Sequence, residues 1–236
     1  MKKFFKIMFS KFWKLAELNL LFAVCCLPIV TAGPAISAVF TVTRKFADEM
    51  PIFIWTEFWA AFKKHFKLSV LIGIIGLIEM FFSFFSAALY LQIAKTSGST
   101  VWYVLFAVSV SIGLMFIITN FYAYLLCVSA NIPFKDIMKD AFILTAVSIS
   151  KNILTLFISI LVCFCMVLPI LLTGNLTFSI FFLFAPFSFL ALYICFRCYP
   201  QIEKYIIEPY YNSRGEKSPA QIRHEELENE KNIFDD

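Results

Sequence analysis

Apolar residues fill six stretches of the chain, residues 15–30, 34–42, 68–92, 101–130, 153–172 and 176–196, and the polar residues collect between them. Within each stretch the apolar positions are continuous rather than alternating. That points to helices and away from a porin-like barrel, whose strands alternate with period two. A helix needs about 20 apolar residues to cross the ~30 Å hydrocarbon core of a bilayer. Five stretches approach or exceed that length, and 34–42 does not. The pattern predicts an all-α fold, a polytopic helical membrane bundle of five full spans plus a short returning helix, six membrane segments in all.

The first two stretches are separated by Pro28, Gly33 and Pro34, within the run LPIVTAGPAISAVF from Leu27 to Phe40. Proline removes a helical hydrogen bond, glycine adopts left-handed backbone at helix ends, and proline suits the first turn of a new helix. The chain is therefore expected to reverse at IVTAGP. Charge supports the reversal, because cytoplasmic loops carry the excess of Lys and Arg. A returning helix leaves every Lys and Arg except Lys95 on one side, whereas a single bent span over 15–42 divides them far more evenly. Both termini are accordingly predicted to be cytoplasmic. Non-helical backbone at that depth must be surrounded by protein or water, and Ala32, Ala35, Ser37 and Ala38 are small enough to let neighbouring helices approach.

The flanking segments are amphipathic. In MKKFFKIMFSKFWK, Phe5, Met8, Phe9 and Phe12 fall at helical spacing opposite several lysines, which predicts an interfacial amphipathic helix over 1–14. Lys2 and Lys3 ahead of an apolar run also suit a signal peptide. About a dozen residues intervene, however, and Pro34 occupies the cleavage region, so the segment is read as retained. Residues 51–67, PIFIWTEFWAAFKKHFK, place Trp55, Phe58, Trp59, Phe62 and Phe66 on one helical face beside Lys63, Lys64 and Lys67, another interfacial pattern. NIPFKDIMKDAFILTAVSISKNI leads into the fifth stretch in a similar way, a faint internal echo without a matched motif. After Pro209 the composition shifts to four basic against seven acidic residues. The chain thus divides into the N-terminal helix 1–14, a helical transmembrane domain 15–205 and a charged cytoplasmic tail 206–236, read as disordered or loosely helical.

Composition agrees with the bilayer reading. The chain is 61% hydrophobic and 15% charged, with a mean hydropathy of +0.82, outside the range of ordinary soluble domains. The net charge of +4 matters through its placement, so membrane lipids rather than nucleic acid are the expected surroundings. The cysteines lie almost entirely in apolar runs, where thiols behave as small hydrophobes. Cys195 and Cys198 form an isolated CFRC, with His65 and His224 far away in sequence, and neither a metal site nor a cofactor is expected. GxxxxGK[ST], HExxH, GxSxG and a glycine-rich dinucleotide fingerprint do not occur, so the chain is expected not to be an enzyme and offers no catalytic residue. The informative polar residues are intramembrane. Glu79 falls roughly 18 Å along a helix from Lys67 and shares a face with Gly76, Ser83, Ser86 and Ala87. Its expected role is interhelical hydrogen bonding, within the bundle or to a partner. Glu17, Asn19 and Asn120 are read as interhelical polar contacts.

LAELNLLFAVCCLPIVTAGPAISAVFTVTRKFADE, followed by TEFWAAFKKHFKLS, resembles the YesL-like family of small bacterial membrane proteins, a domain of unknown function. The likeness is carried by Leu18, Asn19 and Leu20, by Leu27, Pro28, Thr31, Gly33, Pro34, Ala35 and Ala38, and by Phe58, Phe62, Lys63 and Phe66. NFYAYLLCVSANIPFKDIMKDAFILTA and the closing span up to Tyr205 are also similar, so the resemblance extends over residues 5–205. It implies a multi-pass protein of the bacterial cytoplasmic (plasma) membrane, associated with carbohydrate ABC importers, whose partners would be their permease and ATPase subunits. The contact elements would be the hairpin, with Asn19, Pro28, Thr31, Gly33 and Pro34, and the aromatic helix, with Trp55, Phe58, Trp59 and Phe62. Two other functions stay open: a stand-alone carrier or channel for a small solute, using the broken hairpin and Glu79, and a membrane factor in cell-envelope polymer assembly.

Overall fold

A computed structural model describes residues 2–129, 132–173, 186–218 and 221–222. Every regular element among them is helical: α1 (Lys2–Ser10), α2 (Phe12–Cys25), a 3-10 turn (Ile29–Thr31), α3 (Ala32–Ala47), α4 (Ile54–Ser97), α5 (Thr100–Ser129), α6 (Phe134–Val147), α7 (Ile149–Thr173) and α8 (Pro186–Ile202). The last continues through π-helical Glu203–Ile207 into α9 (Glu208–Asn212).

Two of these helices, α4 and α5, are long and apolar enough to cross a membrane, with mean hydropathies of 2.3 and 2.4 over their most apolar windows. The α6–α7 pair is a third candidate only if it counts as one broken span, because it bends by 96°. The expectation of five full spans is thus reduced to two or three helices of spanning length among the described residues. The first stretch shows why. Its apolar run continues to Val30, but the helix stops at Cys25, since Pro28 takes extended backbone (φ −81°, ψ 125°). The 14 residues of α2 rise only ~21 Å, short of the ~30 Å core. For the stretch 176–196, the portion before Pro186 lies outside the described residues, as does most of the charged tail.

The chain does reverse between α2 and α3. Lys11, at the start of α2, lies with its Nζ 4.7 Å from the centroid of the Phe46 ring, at the end of α3, so the two helices run antiparallel. Thr31 holds the turn. Its hydroxyl lies 2.5 Å from the Cys25 carbonyl oxygen and 2.8 Å from that of Pro28, giving a donor to the carbonyls that a helix end leaves free. The expected role of Gly33 is corrected. It is helical, within the first turn of α3, and the left-handed glycines among the described residues are Gly98 (φ 62°) and Gly215 (φ 69°). Gly33 is required for proximity instead: a Cβ there would lie 2.3 Å from the backbone oxygen of Ser69 on α4. Gly98 ends α4 by donating its N–H to Ala94 O at 3.0 Å, and its left-handed backbone turns the chain into α5.

The core lies where α3, α4, α5 and α8 meet, around the fully buried Phe46, Phe58, Ile72, Leu125, Leu126 and Leu192. The N-terminal helix α1 docks on this core through Phe4 and Ile7, with Phe4 edge-on to Tyr193 and Phe196. Phe5, Phe9 and Phe12 stay exposed beside it. The internal echo is not repeated in geometry: α4 runs unbroken from its aromatic start into its apolar part, whereas the α6–α7 pair turns at Ser148.

Candidate functional site

The polar face foreseen on the third stretch forms the seam between α4 and α5. Ser83 and Ser109 exchange hydrogen bonds across it, each hydroxyl donating to the other residue's carbonyl oxygen, at 3.1 and 3.2 Å. Small residues bring the helices together. A Cβ on Gly113 would run into the Ser83 hydroxyl, and one on Gly76 would lie 2.7 Å from Oδ1 of Asn120. Asn120 thereby rests its amide over Gly76, with Nδ2 donating to Phe116 O at 3.0 Å and to Glu79 Oε2 at 3.4 Å. Glu79 and Asn120, 41 residues apart in the chain, are therefore brought together by the fold.

Beside the seam a groove of about 390 Å³ opens between the two helices, and Glu79, Ser83, Ser86, Tyr90 and Ser109 line it among apolar neighbours. Ser86 turns its hydroxyl back to Phe82 O at 2.7 Å. Among the described residues little else covers this pair of helices. Between Ile72 and Ala94 no residue of α4 is buried, and between Thr100 and Ile118 of α5 only Ser109 is.

The hairpin break belongs to a different place. Gly33 packs on Ser69, Pro34 is buried, and the Ser37 and Ser69 hydroxyls hydrogen-bond to each other, with Cys127 Sγ 3.7 Å from Ser69 Oγ. Gly33 also lies against Gly73, where an added Cβ would be 3.4 Å from the Gly33 Cα, and Gly73 and Glu79 are six positions apart on α4, or ~9 Å along the helix. The structure does not join the broken backbone and the carboxyl in one site. Thr31 and Pro28 serve the turn itself. Glu17 is exposed on α2, while Asn19 is buried and accepts the Ser188 backbone N–H at 3.3 Å. Ser188 lies in the first turn of α8, where N–H groups lack helical partners. Asn19→Ala is expected to lower stability by about 1–2 kcal/mol through that unpaired buried donor, read as a lower melting temperature in detergent.

The five-aromatic face on α4 is split by packing. Phe58 is fully buried, Trp59 and Phe62 are half-buried against the core, and Trp55 is 59% exposed. Phe58 thus holds α4 to the core and offers no surface to a second protein. Nearby, Lys45 pairs with Glu57 at 2.5 Å, and Arg44 donates to the Tyr199 hydroxyl at 2.6 Å while lying over its ring. These contacts tie the end of α3 to α4 and α8.

Cys195 and Cys198 are buried thiols on α8, with Cys195 Sγ 3.4 Å from the Thr43 hydroxyl. No group of three or more His, Cys, Asp or Glu side chains able to hold a metal occurs among the described residues. Sequence reasoning missed Tyr122 and Asn152. The Tyr122 hydroxyl donates to Asn152 Oδ1 at 2.8 Å, and Asn152 Nδ2 donates to Thr145 O at 3.0 Å, across the bend. The available signal was one amide, just ahead of an apolar run and directly after Ser150 and Lys151.

Residues 15–87 match the family described as "Protein of unknown function, DUF624". It is an uncharacterised family whose domain YesL-like proteins carry. No curated protein and no solved structure matches the chain. The DUF624 match spans α2, α3 and most of α4, and so takes in Asn19, the hairpin turn, Gly33, Ser69 and Glu79, while Asn120 and Asn152 fall beyond it.

Proposed function

We propose that the protein is a non-enzymatic accessory subunit of a carbohydrate ABC importer, held in the cytoplasmic membrane with both termini in the cytoplasm. It binds the permease subunits through helices in the membrane and at its cytoplasmic face. The single observation that carries a partner-binding role is the uncovered α4–α5 pair. Apolar flanks are at home in lipid, but a groove containing Glu79 and Tyr90 is not, since lipid offers these groups no hydrogen-bond partner. The resemblance to YesL-like proteins supplies the importer as the partner. Exposed Trp55 and the exposed hairpin tip at Leu27, Ile29 and Val30 extend the available surface beyond the arm.

Purification from native membranes in a mild detergent should bring down two permease subunits and their ATPase, and tags on either terminus should stay shielded from protease added outside intact cells. A chain that purifies alone under several gentle conditions overturns the assignment. The groove at Glu79 takes in no residue of the broken hairpin, which favours the partner-binding role over a carrier built on the two together.

A further inference from the structure

We infer that the groove between α4 and α5 seats a transmembrane helix of another protein, one that carries a lysine or arginine at the depth of Glu79. This rests on the partner-binding role proposed above and adds the chemistry of the partner. Glu79 lies on α4 between Lys67 and Lys95, about twelve residues beyond the first and sixteen before the second, or ~18 and ~24 Å along the helix. At that depth an isolated carboxylate is costly. Its hydrogen-bond partner is a single amide donor, Nδ2 of Asn120 at 3.4 Å, which also serves Phe116 O. A neutral amide that is shared in this way leaves most of the carboxylate's acceptor capacity open.

The stretches 68–92 and 101–130 contain no Lys or Arg, so neither the α4–α5 arm nor the same arm of a second copy can supply the missing cation. The complement has to come from another chain. A helix is the occupant that fits. The polar positions Glu79, Ser83, Ser86 and Tyr90 recur at helical spacing along one side of α4, and the groove they border runs between α4 and α5 from Ile78 to Tyr90. Ile78, Phe82, Ile112 and Phe116 line the groove with the carboxyl and would pack on a partner's aliphatic stem, keeping the ion pair away from water.

The test uses the full-length protein in proteoliposomes and synthetic transmembrane peptides of alternating Leu and Ala, identical except for a central Lys, Leu or Glu, each with a photoreactive residue one turn away. The Lys peptide should cross-link to α4 or α5 roughly tenfold more than the Leu peptide, the scale of an interhelical polar contact in membranes. Glu79→Gln should abolish that preference, and Glu79→Lys should transfer it to the Glu peptide. Equal labelling by all three peptides, or a Lys preference that survives Glu79→Gln, overturns the inference; so does labelling outside the arm. Thermal unfolding of each variant separates loss of the site from loss of the fold, and the charge-swapped pair carries the test if Glu79→Gln unfolds. The outcome is independent of the importer assignment: permease subunits that co-purify without any Lys preference sink the Glu79 seat alone, and a Lys preference without co-purifying permease subunits sinks the importer alone.

Discussion

Asn152→Leu is expected to weaken the fold more than any other single polar replacement at the α6–α7 bend. It removes the acceptor of the Tyr122 hydroxyl and the donor to Thr145 O at once. Asn152 is 3% exposed and Tyr122 fully buried, so water does not replace either partner. Each buried group left unpaired costs about 1–3 kcal/mol. Tyr122→Phe, which removes only the hydroxyl, should cost roughly half as much. The measurement is the melting temperature in detergent, with limited proteolysis near Ser148 as a local probe. If Asn152→Leu melts no lower than Tyr122→Phe, the Thr145 bond is not what holds the bend.

Gly33→Ala is the second large effect, and it acts through space rather than bonding. The added methyl would lie 2.3 Å from the Ser69 carbonyl oxygen and 2.9 Å from its carbon, both backbone atoms of a helix that cannot yield locally. Overpacking of this kind costs about 1–3 kcal/mol. Three comparisons sharpen it. At Gly76 the obstacle is the end of the Asn120 side chain, which can rotate away, so Gly76→Ala should be milder. At Gly98 nothing lies within 4 Å and the penalty is only that of left-handed backbone, about 1–2 kcal/mol. Trimming Ser69 to Ala in the Gly33→Ala background should not restore stability, since the clash is with backbone; full rescue would show that the helices part by repacking side chains instead.

Both effects bear on how far the sequence could be read. The breakers in LPIVTAGPAISAVF announced the reversal, and the antiparallel contact between Lys11 and Phe46 agrees with it. The reason assigned to Gly33 was wrong, because a glycine needed for left-handed backbone and one needed for close approach look identical in a sequence. Glu79, Gly76 and Ser83 were legible as a contact face through their helical spacing, and that face is the α4–α5 seam. Phe58 was grouped with Trp55 for the same reason of spacing, yet one is fully buried and the other exposed. Spacing assigns residues to a helical face but does not say what that face meets.

The sequence by itself determined the helical class, the apolar stretches, the position of the reversal and the isolated carboxyl at Glu79. These follow from local rules: hydropathy sets which segments leave water, proline ends helices, and a fixed rise per residue sets depth. Only the tertiary structure decided that α2 is too short to cross alone, that Asn120 reaches Glu79, that Asn152 ties Tyr122 to the bend, and that no third helix among the described residues covers the outer part of the α4–α5 pair. Each of those depends on which residues distant in the chain become neighbours, and in an interior held by close packing and paired polar groups that choice is made by the whole set of helices together.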